Sequence, residues 1–201
     1  MKWIVGIDEV GRGPVAGPVA VCACAMPILE YRKISWGRLN DSKKMSLKLR
    51  ELWSKEAYKM KKDSKLKFFV VYRSAIFIDK NGISLSIKGS IAEGLQKLNL
   101  KPGDCQVLLD GSLKAPKEYK NQKTIIKGDQ KEKIISLASV IAKVSRDKKM
   151  NSFHKKYPEY LWSKNKGYGT REHYKAIRKD GLTILHRKSF LASIGHRLTK
   201  V

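Results

Sequence analysis

Four carboxylates in this chain stand where strand-like segments give out into turns. Asp8 and Glu9 follow the apolar run Trp3-Ile4-Val5-Gly6-Ile7 and precede Gly11-Arg12-Gly13-Pro14-Val15-Ala16-Gly17-Pro18. Asp110 closes Cys105-Gln106-Val107-Leu108-Leu109 and is followed by Gly111. Asp129 follows Gly128 at the end of a weaker strand-like run, 123–127. Sites in α/β sheets are assembled at strand ends, so acids from separate strands can converge there. Carboxylates are the hard oxygen donors that Mg²⁺ and Mn²⁺ prefer. Two such ions about 4 Å apart activate water and stabilise the leaving oxygen of a phosphodiester. Adjacent strand residues point to opposite faces, so Asp8 and Glu9 share one site only if the strand ends or bulges there. Gly11 and Gly13 make that feasible. A single acid at a strand end is also an ordinary turn former.

Other chemistries find less support. Gly11-x-Gly13-x-x-x-Gly17 has the wrong spacing for a dinucleotide loop, and neither a Walker loop nor a G-x-S-x-G elbow is present. His154, His173, His186 and His196 lack zinc-site spacing. His173 and His186 flank a Tyr/Arg-rich region and are candidates for a substrate or proton role. Cys22, Cys24 and Cys105 form no CxxC and read as buried thiols of a reducing compartment.

The background to these acids is strongly basic. Lys and Arg number 43 against 18 Asp and Glu, a formal net charge of +25 over 201 residues. So large an excess asks for an anionic partner, and nucleic acid leads because each phosphate contact releases counterions. A membrane surface is the rival, yet no basic amphipathic helix dominates. The apolar fraction of 42% is ample for a packed core. Asp8 and Glu9 interrupt the first apolar run too early for a signal peptide, and no stretch reaches membrane-spanning length. A cytoplasmic monomer is expected.

The positioning elements follow from periodicity. Residues 3–8 and 19–25 read as two strands joined by the Gly/Pro loop, 67–73 as a third, 105–110 as a fourth and 123–127 as a fifth. Leu49, Leu52, Trp53, Ala57 and Met60 have helical spacing over 46–61. Ile87, Ile91, Leu95 and Leu98 mark a second helix, softened by Gly89 and Gly94. Residues 134–150 form a helix rich in small and apolar residues, fit to pack closely on a sheet. Thr170 is an N-cap candidate for a last helix closed by Gly181. The fold class is α/β, with a mixed sheet flanked by helices over 1–150 and a small C-terminal helical lobe, 151–201, packed on the same domain.

The chain resembles type 2 ribonuclease H, the ribonuclease HII family. The resemblance rests on Gly6-Ile7-Asp8-Glu9-Val10-Gly11-Arg12-Gly13-Pro14 with Ala16-Gly17-Pro18, and on Leu39-Asn40-Asp41-Ser42-Lys43-Lys44. It continues through Leu109-Asp110-Gly111, Lys127-Gly128-Asp129 and Ala138-Ser139-Val140-Ile141-Ala142-Lys143-Val144-Ser145-Arg146-Asp147. Lys166-Gly167-Tyr168-Gly169-Thr170 and His186-Arg187-Lys188-Ser189-Phe190 complete the order. Segments 74–90 and 114–123 match only loosely.

The resemblance implies a ribonuclease H-like fold and a metal-dependent endonuclease using Mg²⁺ or Mn²⁺. Its substrates would be RNA–DNA hybrids and DNA duplexes containing ribonucleotides. Cleavage would fall on the RNA strand, or 5′ of a single embedded ribonucleotide, leaving 5′-phosphate and 3′-hydroxyl ends. By position, Asp8, Glu9, Asp110 and Asp129 would be the catalytic, metal-binding acids. Gly11, Arg12 and Gly13 would read the ribose 2′-hydroxyl through backbone groups, the feature that distinguishes RNA from DNA. Tyr168 would pack on the sugar at the junction. Lys43, Lys44, Lys143, Arg146, Lys166 and Arg187 are candidate phosphate contacts. Asp147 is a rival fourth acid, read as structural because it lies about five helical turns after residue 129. The alternatives are a non-catalytic basic nucleic-acid-binding protein and a DNA-cutting nuclease of the same fold superfamily. The Gly-Arg-Gly turn favours type 2 over the type 3 enzymes, which resemble Gly-Thr-Gly there.

Overall fold

The computed structural model describes residues 1–37, 39 and 45–192. Lys43 and Lys44 lie outside the described residues, as do His196 and the basic C-terminal stretch from residue 193. In chain order the elements are β1 (Trp3–Val10), β2 (Val19–Pro27), α1 (Ile28–Lys33), α2 (Leu47–Lys62), β3 (Lys67–Arg73) and α3 (Ala75–Leu98). Next come β4 (Cys105–Asp110), β5 (Gln122–Ile125), α4 (Gly128–Lys131), α5 (Lys133–Lys156), α6 (Trp162–Asn165), α7 (Arg171–Asp180) and α8 (Lys188–Leu191).

The five strands form one mixed sheet in the order β3-β2-β1-β4-β5. β2 runs antiparallel to both β1 and β3, while β4 and β5 run parallel to β1. The first acid-bearing strand is therefore central. β2 is buried along almost its whole length because both faces are covered, and a continuous apolar run is what such a strand requires. Alternation divides its side chains. Cys22, Cys24 and Met26 join the layer under α2 and α5, whereas Val21, Ala23 and Ala25 join the layer under α3.

The small residues of α5 let it approach the sheet closely. At Gly6 of β1 a Cβ would fall onto the carbonyl oxygen of Ile134, so only glycine lets the helix start sit on that strand. α5 consequently buries Ser136, Ala138, Ser139 and Ala142 along with its large apolar residues.

A third core joins Val15 and Ala16 of the Gly/Pro loop to Met150, Tyr160, Trp162, Ala176, Ile177 and Leu191. The C-terminal helices thus pack against the loop that follows Asp8 and Glu9. α7 begins at the expected cap, with the Thr170 side chain accepting from His173 N, and ends at Gly181 with φ 79°.

Two elements differ from the sequence expectation. α3 begins at Ala75, a dozen residues before the first periodic isoleucine, and is kinked at Gly82 (φ 76°, ψ 157°). Its first half leaves Ile76, Phe77 and Leu85 exposed, which blurs the apolar stripe. Asp129 does not close a strand. β5 stops at Ile125, Lys127 adopts a left-handed conformation (φ 55°), and Asp129 falls in the single turn of α4.

Candidate active site

The acids meet where β1 and β4 part. β1 pairs with β4 only as far as Ile7↔Leu109, while its pairing with β2 continues in regular register to Val10↔Ala20. The expected strand end or bulge at Asp8-Glu9 is absent. Reach comes instead from the fork, which leaves β1 without a neighbour on the β4 side from Asp8 onward. Asp110 occupies the facing position on β4 and pairs outward with Ile125 of β5.

Three of the four expected acids interact at this fork. Asp8 is buried, and its carboxyl is held well above the usual range, first by burial and then by the charges of Glu9 and Asp110. The Ser139 side chain of α5 opposes this with a hydrogen bond, as does the Glu9 N–H, which donates to Asp8 Oδ1 at 2.8 Å. Glu9 is raised by burial and by Asp110, and lowered by Arg12, whose Nη1 lies 3.6 Å from Glu9 Oε1. Asp110 Oδ1 accepts the Gly128 N–H at 2.6 Å, which docks the turn of α4 against β4. Asp129, the next residue, is itself buried.

Among the described residues no group of three or more His, Cys, Asp or Glu stands in a ready metal-holding arrangement. The donor set nevertheless suits a hard divalent cation: Asp8, Glu9 and Asp110 converge at one fork, and burial together with the charge of Asp110 raises the Asp8 and Glu9 carboxyls. Among the described residues neither Asp8 nor Asp110 has a cationic side chain within ion-pair distance. Asp147, the rival acid, pairs with Lys143 Nζ at 2.8 Å.

The glycine loop beside the acids is held from beneath by two buried arginines. Arg187 donates from Nη2 to Gly11 O at 2.7 Å, from Nη1 to Arg12 O at 2.9 Å and from Nε to Gly17 O at 2.9 Å. Arg146 donates from Nε to Pro18 O at 2.9 Å, from Nη1 to Lys166 O at 3.0 Å and from Nη2 to Ala16 O at 3.4 Å. Both have 0% exposure. This corrects their assignment as phosphate contacts: neither side chain reaches the surface, and the guanidinium N–H groups serve backbone carbonyls. Burial lowers the pKa of each, and the proximity of Arg146 lowers that of Arg187 further. The signal lay in α5, where Arg146 is four residues from both Ala142 and Met150 and so falls on the buried stripe.

With the carbonyls of Gly11 and Arg12 drawn inward, Arg12 and Gly13 are exposed. Among the described residues their N–H groups donate to no backbone carbonyl.

A second loop is stitched to the first. Gly167 O accepts from Val15 N (2.9 Å) and Ala16 N (3.1 Å). Gly167 has φ 86°, and a Cβ there would fall onto Ala16 O, so both conformation and space demand glycine. The next residue, Tyr168, exposes 49% of its surface. Lys166 Nζ is held by Asn151 Oδ1 at 2.5 Å and Ser163 O at 2.7 Å, and burial lowers its pKa. His173 and His186 are both buried behind Tyr168, which removes them from direct contact with substrate. A cleft of about 700 Å³ between α3 and residues 112–118 reaches Arg12 but none of the four candidate acids.

Comparison with known proteins agrees with this arrangement. The family model for ribonuclease HII matches residues 5–193. The chain is 41% identical over 187 residues to ribonuclease HII of Prochlorococcus marinus (strain MIT 9312), covering 93% of this chain and 88% of that protein. It is 41% identical over 190 residues to ribonuclease HII of Helicobacter pylori (strain P12), covering 93% and 90%. Among solved structures, the ribonuclease H2 from Pyrococcus horikoshii OT3 superposes with a TM-score of 0.76 at 23% identity, covering 99% of this chain and all of that one. Bst-RNase HIII in complex with Mn²⁺ gives 0.68 at 16% identity, covering 98% and 71%. By its sequence, the chain belongs to the ribonuclease HII family.

Proposed function

We propose that this ribonuclease H cuts RNA–DNA hybrids, and incises duplex DNA 5′ of a single ribonucleotide, with Asp8, Glu9, Asp110 and Asp129 as its metal-binding acids. The observation that carries the assignment is the convergence of Asp8, Glu9 and Asp110 at the β1/β4 fork, directly before the glycine loop. Mg²⁺ or Mn²⁺ held by these carboxylates would supply Lewis acidity at the scissile phosphate and activation of water.

The remaining steps belong to the chain. Ser139 and the Glu9 N–H orient the Asp8 carboxylate. The Asp110–Gly128 bond sets the turn that presents Asp129. The carbonyls of Gly11 and Arg12 are tied down, so the N–H groups of Arg12 and Gly13, both exposed residues, serve as donors to the ribose 2′-hydroxyl. Tyr168, on the loop stitched to Val15 and Ala16, lies against the sugar beside the cut. Lys143 and Lys166 line the approach as phosphate contacts, with Lys43 and Lys44 proposed from the sequence alone. The enzyme works as a cytoplasmic monomer on nucleic acid; among the described residues no helix is long and apolar enough to cross a membrane.

The test is cleavage-site mapping on matched duplexes with one, four or no ribonucleotides, with Mg²⁺ or Mn²⁺ supplied. The expected pattern is a cut 5′ of the single ribonucleotide, cuts within the four, and an intact all-DNA duplex. Cutting of the all-DNA duplex, or no cutting with either metal, would overturn the assignment.

A further inference from the structure

Behind Tyr168 lies a buried polar chain. His173 Nδ1 is 2.9 Å from Tyr168 O, and His173 Nε2 is 3.0 Å from Trp162 Nε1. The two imidazoles meet at 3.2 Å, Nε2 to Nε2. His186 Nδ1 is 2.9 Å from Thr183 N and 3.1 Å from Thr183 Oγ1.

The partners dictate the protons. A backbone carbonyl only accepts, so His173 Nδ1 carries the hydrogen that Tyr168 O receives. Indole nitrogen only donates, so His173 Nε2 is an acceptor. The Thr183 backbone N–H only donates, so His186 Nδ1 is an acceptor and the hydrogen of His186 sits on Nε2, directed at His173. Both rings are neutral in this arrangement. A proton added to His173 Nε2 would face the N–H groups of Trp162 and His186.

This chain of bonds links the two loops of the site. His186 bridges Ala16 across an isolated antiparallel contact, flanked by Gly17 N to Leu185 O and Arg187 N to Val15 O, each at 2.8 Å. Its other end holds the carbonyl of Tyr168, which also receives Thr170 N at 2.8 Å. The rings pack against Tyr160, whose centroid lies 4.8 Å from His186 and 6.1 Å from His173.

We infer that His173 and His186 are positioning residues for junction recognition. Their ring-to-ring bond is a strut that sets Tyr168 against the 2′-hydroxyl-reading loop. The inference rests on the proposed role of Tyr168 at the junction. It goes beyond core packing, because packing would be indifferent to which nitrogen carries the proton.

Two conservative variants separate the nitrogens. An asparagine amide stands where Nδ1 was, so His173→Asn keeps a donor to Tyr168 O. A glutamine carbonyl stands where Nε2 was, so His173→Gln keeps the acceptor for Trp162 and His186 but loses the donor. The readout is the ratio of kcat/KM on a duplex with one ribonucleotide to kcat/KM on a long hybrid. Each break in the strut is expected to lower that ratio about fivefold, the worth of one buried hydrogen bond: His173→Gln at the Tyr168 end and His173→Asn at the His186 end. In a Tyr168→Ala background His173→Gln should not lower the ratio further. Equal losses on both substrates, or additive losses with Tyr168→Ala, would overturn the strut.

Imidazole ¹⁵N NMR of the wild-type protein supplies an activity-free readout. At neutral pH it should show His173 protonated at Nδ1 and His186 at Nε2; any other pattern overturns the strut while leaving a Tyr168→Ala effect intact. A flat ratio for Tyr168→Ala with the expected tautomers would instead remove the junction role itself, and this inference with it.

Discussion

Arg187 Nη2 lies 2.7 Å from the carbonyl oxygen of Gly11, and the same guanidinium reaches Arg12 O and Gly17 O. One side chain, 176 residues away in sequence, thereby fixes both ends of the glycine loop. Replacing it strands three inward-facing carbonyls. Arg187→Met should cost about 3 kcal/mol in denaturant unfolding, since each orphaned buried acceptor carries a desolvation penalty. Arg187→Lys should recover little, because a single ammonium cannot span three acceptors in a fork. An Arg187→Met protein as stable as wild type would refute the clamp.

Asp8→Asn should lower cleavage of a single-ribonucleotide duplex by at least about 10²-fold. The metal-free protein should not suffer. Removing one charge from three repelling carboxylates should leave it more stable, by about 1 kcal/mol, in thermal or denaturant melts without divalent ions. Added Mg²⁺ should then stabilise wild type more than the variant. Retained activity would remove Asp8 from the chemistry.

Tyr168→Ala should cost about tenfold more on the single-ribonucleotide duplex than on a long hybrid, as expected for loss of an aromatic platform. Its ring is half exposed and supports no core, so melting should be unchanged. Equal losses on the two substrates would contradict a junction role.

The buried histidine pair makes stability depend on pH in a defined direction. Burial, and then its neighbour His173, lower the pKa of His186 to about 4. Burial lowers that of His173 as well. In the unfolded chain these rings titrate near their ordinary value of 6.5. As pH falls from 6.5 toward 4, the unfolded chain takes up protons that the native state refuses. Stability present above pH 6.5 is therefore lost over that window, by up to about 3 kcal/mol from His186. His186→Gln should flatten this part of the profile, measured as denaturation midpoints from pH 8 to pH 4. An unchanged slope would exclude the pair as its source.

Gly167→Ala should destabilise by about 2 kcal/mol or more, since it combines a left-handed conformation with a Cβ placed on Ala16 O. The two loops should separate, and activity on both substrates should fall with stability. Near-normal melting would mean that the loops are not stitched at this point.

Much of the frame was legible because it obeys simple periods. β1, β2, β3, β4, α2 and α7 lie within a few residues of their expected bounds, and α5 runs six residues past its expected end. Asp129 was misplaced because the left-handed Lys127, which turns the chain from β5 into α4, leaves no mark in residue type. The start of α3 was missed because its exposed apolar residues break the helical stripe. In the sequence Arg146 and Arg187 read as surface cations, because their acceptors are carbonyls, which every residue carries and no sequence displays. The His173–His186 contact likewise depends on how two turns fold over Trp162. The candidate acids stand out by residue type alone, whereas the fork that gathers Asp8, Glu9 and Asp110 exists only once β1 and β4 are paired.

Helix α5 carries Ser139, which bonds the Asp8 carboxylate, and Arg146, which holds Ala16 O and Pro18 O. Seven residues separate them, almost two full turns, so both project from one side of the helix about 10 Å apart. On the proposed roles, the helix is a ruler laid between the acids and the loop that would read the ribose. The offset between cut and ribonucleotide would then be a length set by the hydrogen bonds of one helix. One residue inserted between positions 139 and 146 would rotate one end by about 100° and throw the two out of register.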